Sequence, residues 1–199
     1  MKTFLEEYFG SIRSCFDKIP HENVEGILHV LLEAYTRQAT VFIAGNGGSA
    51  STASHFACDL AKTTLGPEPM KKQKRFKTVS LADNIALLTA WANDEGYEHV
   101  FSEQLKNLAR KGDVLVVISA SGNSPNIIKA LETARTLGLH TIGLLGFGGG
   151  KAAGLVDESI VIESHDYGHV EGVHSVIGHM MTSRLRKLIL ELNDVSDGE

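Results

Sequence analysis

Five short runs of β-branched and aliphatic residues recur along this chain, each separated from the next by a helical pattern. They are residues 40–44 (TVFIA), 78–81 (TVSL), 114–119 (VLVVIS), 140–145 (HTIGLL) and 158–162 (ESIVI). Most alternate little between polar and apolar, as strands do when both faces are covered. Helical patterns lie between them, at about residues 51–64, 85–92, 97–108 and 125–137. Such alternation predicts an α/β three-layer sandwich, a parallel sheet with helices on both sides.

Two more helices precede the first strand. Phe4, Leu5, Tyr8, Phe9, Ile12 and Phe16 recur at helical spacing, Pro20 interrupts, and Val24, Ile27, Leu28, Leu31, Leu32 and Tyr35 resume it. The first helix carries more apolar residues than a helix at the margin of a core requires, which predicts packing against another chain. A long helix follows the last strand, at about residues 170–192, and residues 193–199 read as a frayed tail. The 199 residues suit one domain with a full core. Its parts are a helical segment (1–39), the α/β core with its C-terminal helix (40–192) and the tail.

A formal net charge of −5 argues against a nucleic-acid partner, which selects a basic face. The exception is the basic run at residues 70–77 (MKKQKRFK), read as a solvated loop or as a patch that steers anionic substrates. Cys15 and Cys58 form no CxxC and no disulfide framework; both are expected to be reduced, buried thiols. The first residues are amphipathic and acidic, unlike a signal peptide, and no apolar run reaches the ~20 residues of a membrane span. The expectation is a cytoplasmic protein without a membrane partner.

In an open parallel sheet, ligands bind beyond the carboxyl ends of the strands. The first strand runs into Gly45, Asn46, Gly47, Gly48 and Ser49 and then a helix, a place where backbone N–H groups approach an anion. No Lys-Ser/Thr pair follows, so this is not a Walker loop. Gly45, Gly47 and Ala50 satisfy a loose dinucleotide fingerprint, but the acid that should close the next strand comes only at Asp83, far too late. The third strand runs into Ser119, Ala120, Ser121, Gly122, Asn123 and Ser124, with Pro125 opening a helix. One serine suffices as a cap; three hydroxyls at a helix start make a phosphate cradle. Asn93 and Asp94 either cap a helix or touch substrate. Gly148, Gly149, Gly150 and Lys151 read as a strand-to-helix turn.

His55 and Asp59 are four apart, on one helix face directly after the glycine loop, as two metal ligands or a base and its partner would be. Late in the chain stand His165, His169, Glu171, His174 and His179, a surface histidine cluster or part of a site. On one straight helix, Glu171 and His179 stand about 12 Å apart, too far to share one ion. Either Glu171 precedes the helix, or the two act in sites built by different subunits.

Four segments together resemble the sugar isomerase (SIS) domain family, and within it the phosphoheptose isomerases: AGNGGSASTASHFACDL (44–60), WANDEGY (91–97), ISASGNSPNIIKAL (118–131) and VEGVHSVIGH (170–179). Their order and spacing carry the resemblance over nearly the whole chain. It implies a five-stranded, flavodoxin-like parallel sheet, a homotetramer with shared active sites, and one zinc ion per subunit. It implies substrate contacts at Asn46, Gly47, Gly48, Ser49, Asp59, Asn93, Asp94, Ser119, Ala120, Ser121, Ser124 and Glu171. The implied metal positions are His55, Asp59, Glu171 and His179, with Asp59 or Glu171 as base and His179 as acid. The implied reaction converts sedoheptulose 7-phosphate to an aldoheptose phosphate through an enediol. Three positions depart from the family pattern: Asp59 replaces a glutamate, Glu171 a glutamine and Ala120 a threonine. Two other readings of the resemblance are an isomerase of another sugar phosphate and a regulatory phosphosugar-binding SIS protein.

Overall fold

The computed structural model describes residues 2–66 and 73–196, with the side chains of 193–196 excepted. In chain order the elements are α1 (Lys2–Asp17), α2 (His21–Arg37), β1 (Thr40–Gly45), α3 (Gly48–Cys58), β2 (Lys77–Ser80) and α4 (Ile85–Asp94). Then come α5 (Ser102–Leu108), β3 (Val114–Ser119), α6 (Pro125–Leu137), β4 (His140–Gly146), β5 (Glu158–Ile162) and α7 (Tyr167–Ser196). A π-helical turn, Asp59–Thr63, prolongs α3, and short 3-10 turns stand at Tyr97–His99 and Ala152–Gly154. Residues 193–196, expected to fray, belong to α7.

The sheet has the order β2-β1-β3-β4-β5, and every neighbouring pair is parallel. β3 shows why its sequence does not alternate. Val114, Val116 and Ile118 face one core layer, with Ile27 and Leu31 of α2, Phe56 of α3 and Val173 and Ile177 of α7. Leu115 and Val117 face the other, with Phe101 just before α5, Leu105 of α5, and Ile127 and Leu131 of α6. Phe42 of β1 is fully buried in that second layer, and its truncation to alanine costs about 3–5 kcal/mol.

This strand order has a consequence for the site. The chain leaves β1 for β2 on one side, whereas β3 to β5 build outward on the other. The reversal puts a crevice outside the carboxyl ends of β1 and β3. Gly45 pairs with Ile118 in the sheet, so the glycine loop (45–49) and the serine loop (119–124) rise side by side.

Of the basic run, residues 70–72 lie outside the described residues. Lys74 donates to the Thr36 carbonyl (3.1 Å) and lies over the Tyr35 ring, and Lys77 opens β2 at the sheet end opposite the crevice. The described part of the run therefore does not line the crevice. Cys15 is buried as expected, and burial pushes its thiol pKa up. Cys58 is exposed, against expectation. The buried stripe of this helical stretch is Ala53, Phe56, Ala57 and Leu60, and residue 58 falls off it.

Candidate active site

Asp59 sits at the π-helical turn, where the chain departs from regular α-helix; such bulges are frequent at functional positions. Its Oδ1 accepts a hydrogen bond from the Thr63 hydroxyl (3.1 Å). Its Oδ2 lies 3.0 Å from Nδ1 of His179, on α7, and 3.5 Å from Nε2 of His55, on α3. The carboxylate is largely buried while both imidazoles are mostly exposed. The two rings meet edge to face at 4.8 Å. Each of the three residues offers one ligand atom, all within 4.8 Å of one another. The triad can therefore hold a metal ion, and two imidazoles with one carboxylate match a catalytic zinc set that keeps a position open.

Glu171 stands elsewhere. It lies in the first turns of α7, eight residues before His179, and its carboxylate covers Gly48 at the start of α3. A Cβ built on Gly48 would stand 2.7 Å from Glu171 Cδ and nearer still to Oε2. The close approach needs glycine, and it places a negative group where the helix dipole favours one. Within one chain, then, His55, Asp59 and His179 come together and Glu171 does not join them. Helices α3 and α7 run alongside each other, carrying Gly48 and Glu171 at one end of a strip and the triad at the other. Thr52 and Ser175 line a small cleft at the triad.

In the serine loop, Ser119 Oγ accepts from the Gly122 amide (3.1 Å) and Ser121 Oγ from the Asn123 amide (3.2 Å). Ala120 is buried beneath them. Ser124 is the N-cap residue of α6 without a side-chain capping bond. Gly122 has φ +61°, and a Cβ there would stand 2.6 Å from the backbone carbon of Gly149. The Gly148–Gly150 stretch is thus a turn, as expected, and also the floor on which the serine loop rests. Asn123 fastens the two, accepting from the Lys151 amide at 3.0 Å.

Asn93 and Asp94 close α4, both exposed and bonded to each other at 2.7 Å; they cap no following helix. The next segment contributes Tyr97, whose hydroxyl donates to Asn46 Oδ1 (3.1 Å). Asn46 also exchanges two hydrogen bonds with buried Asn126, at 2.9 and 2.8 Å. Tyr97 and Asn126 both stand inside recognisable segments of the sequence, but nothing in the spacing assigns them a task.

The late histidines do not form a surface cluster. His165 stacks on Phe147, and His169 meets the Tyr8 ring at 4.8 Å. His174 is fully buried, and its Nε2 donates to the Leu145 carbonyl (3.1 Å). Burial lowers its pKa to about 4, so it is a neutral anchor between α7 and β4.

A cleft of about 620 Å³ lies away from the triad. It is an apolar groove between α1, α2 and α7, lined by Phe16, Ile19, Leu28 and Met180 among others. Among the described residues no helix is long and apolar enough to cross a membrane.

A parallel sheet of this order, with a glycine loop and a serine loop on neighbouring strand ends, defines a flavodoxin-like class of α/β proteins, and the SIS domain family matches residues 7–146. The phosphoheptose isomerase of Helicobacter pylori (strain P12) is 40% identical over 160 residues, covering 80% of this chain and 81% of its own. That of Clostridium acetobutylicum is 33% identical over 193 residues, covering 94% and 95%. The solved phosphoheptose isomerase of Neisseria gonorrhoeae superposes with a TM-score of 0.83 at 31% identity, over 94% of this chain and 98% of that one. The chain belongs to the SIS domain family and, within it, to the phosphoheptose isomerases.

Proposed function

We propose that this chain is an aldose–ketose isomerase that converts sedoheptulose 7-phosphate to D-glycero-D-manno-heptose 7-phosphate through an enediol. The observation that carries the reading is the convergence of His55, Asp59 and His179 in a chain 40% identical to a phosphoheptose isomerase. The phosphate lies on residues 119–124, held by hydroxyls and by the start of α6 rather than by a fixed cation. The glycine loop, Asn46 to Ser49, together with Asn93 and Asp94, holds the sugar hydroxyls. Asp59 takes the proton from the carbon next to the carbonyl, its carboxylate oriented by the Thr63 hydroxyl on Oδ1. His179, against that same oxygen, carries protons between the two substrate oxygens. Zinc fits the His55, Asp59 and His179 donor set, and when bound it supplies a Lewis acid for the charge that develops on oxygen.

Glu171 is the fourth member of the site, given by a second copy of the chain. One straight helix separates it from His179 by about 12 Å. A homotetramer with shared sites accounts for this. The exposed Phe4, Leu5 and Phe9 of α1 and the apolar groove beside α7 support such an assembly. The enzyme acts in the cytoplasm as a single SIS domain.

The test is turnover of sedoheptulose 7-phosphate to an aldoheptose phosphate before chelation, after it, and after zinc is restored. Loss and recovery support both the activity and the metal. Folded, zinc-loaded protein without turnover refutes the heptose phosphate reading and moves the function to another sugar phosphate or to regulatory binding. Asp59→Asn should abolish turnover and retain phosphate binding; an active variant refutes Asp59 as the base.

A further inference from the structure

Asn126 is 1% exposed, yet both the oxygen and the nitrogen of its carboxamide are engaged. Its Oδ1 accepts from Asn46 Nδ2 (2.9 Å) and from the Ile127 amide (3.0 Å), and its Nδ2 donates to Asn46 Oδ1 (2.8 Å). Asn46 Oδ1 accepts a second bond, from the Tyr97 hydroxyl at 3.1 Å. Three segments meet in this cluster. Asn46 belongs to the glycine loop, Asn126 to the first turn of the helix that follows the serine loop, and Tyr97 to the segment after Asn93 and Asp94.

Two consequences follow from donor and acceptor counts. A carboxamide oxygen has two lone pairs, and both on Asn46 are filled, so Asn46 has only N–H to offer a ligand. Asn126 fixes that orientation, because an amide flip would set donor against donor. The reciprocal pair also ties the two loops together at the crevice, so the separation of their binding groups is set by a buried contact.

We propose that Asn126, with Tyr97 as its outer member, is a positioning residue that holds Asn46 as an N–H donor toward a sugar oxygen and fixes the span between the glycine loop and the phosphate loop. The proposal rests on the sugar-phosphate reading of these loops. It predicts that the clamp matters to a ligand that spans both loops and is indifferent to one that fills the phosphate loop alone.

The experiment compares the full-length wild type with Asn126→Ala and Tyr97→Phe. Calorimetry measures binding of inorganic phosphate and of sedoheptulose 7-phosphate, and kcat and KM are taken for the latter. Asn126→Ala should bind inorganic phosphate within about threefold of wild type and lose on the order of 10²-fold in kcat/KM, the scale set by a misplacement near 1 Å. Tyr97→Phe, which removes one hydroxyl from a residue that is 57% exposed, should lose about tenfold in kcat/KM, with unchanged phosphate binding. Equal loss of both ligands, or no loss of either, overturns the proposal. If Asn126→Ala does not fold, Tyr97→Phe decides alone. If the wild type binds both ligands without turnover, the heptose phosphate isomerase reading fails, and the ratio of the two affinities across the variants still tests the clamp.

Discussion

Gly48→Ala separates function from folding at one atom. The added methyl would enter the space of the Glu171 carboxylate, 2.7 Å from its Cδ. Ordinary contact requires the carboxylate to retreat by about 1 Å. The atoms that move are the end of a flexible side chain, so the fold is spared. Gly48 is the first residue of α3, where alanine is at least as good a helix former. The stability change is therefore within about 1 kcal/mol, or a Tm shift of roughly 2–4 °C at this size. A 1 Å displacement of a group that meets the substrate costs up to about 10²-fold in rate. The assay is kcat/KM for sedoheptulose 7-phosphate beside a thermal melt. Retention of kcat/KM within about threefold refutes the placing of Glu171 in the substrate site, because the methyl leaves it no room to stay. Glu171→Gln keeps the shape and removes the charge, and it keeps turnover if Asp59 is the base.

Three further outcomes are expected. Gly122→Ala forces a Cβ into the backbone of Gly149 at φ +61°, so it should cost about 3 kcal/mol and lower Tm by roughly 6–12 °C, read by calorimetry. Thr63→Val removes the bond that orients Asp59 Oδ1 and should weaken zinc at least about tenfold in a chelator competition, with Thr63→Ser restoring it. His174, whose pKa falls from 6.5 to about 4 on folding, is protonated more readily in the unfolded chain. Its contribution is present above pH 6.5 and is lost as pH falls toward 4, about 3 kcal/mol in all; denaturant melts of wild type and His174→Asn across that window should show the acid loss only in the wild type.

The sheet was legible in the sequence because burial on both faces writes itself as an unbroken apolar run, and the five runs match the strands to within a residue at each end. The two loops were legible because glycine and serine clusters at strand ends have few structural uses. What the sequence concealed has a geometric origin. A π turn changes the hydrogen-bond partner, not the residue type, so nothing marks Asp59–Thr63 in advance. The Asn46–Asn126 pair joins residues 80 apart, and only the β1–β3 pairing makes them neighbours. Other misses were readable. Val170, Val173, His174, Ile177 and Met181 repeat at helical spacing and are all buried, so His174 belongs to the core stripe rather than to a histidine cluster. The same count along α3 removes Cys58 from the interior.

The glycine and serine loops hang from adjacent strands that lie far apart in sequence, so neither half of the crevice takes shape until the central strand pair has formed. Ligand affinity is therefore linked to folding of the sheet as a whole. On the proposed reading, a sugar phosphate bridging β1 and β3 acts as a cross-brace on the middle of the domain, and at 100 times its Kd it adds about 2.7 kcal/mol against global unfolding. Starved of substrate, the same molecules lose that protection and open more often to proteolysis, so abundance in the cell should follow the supply of the sugar.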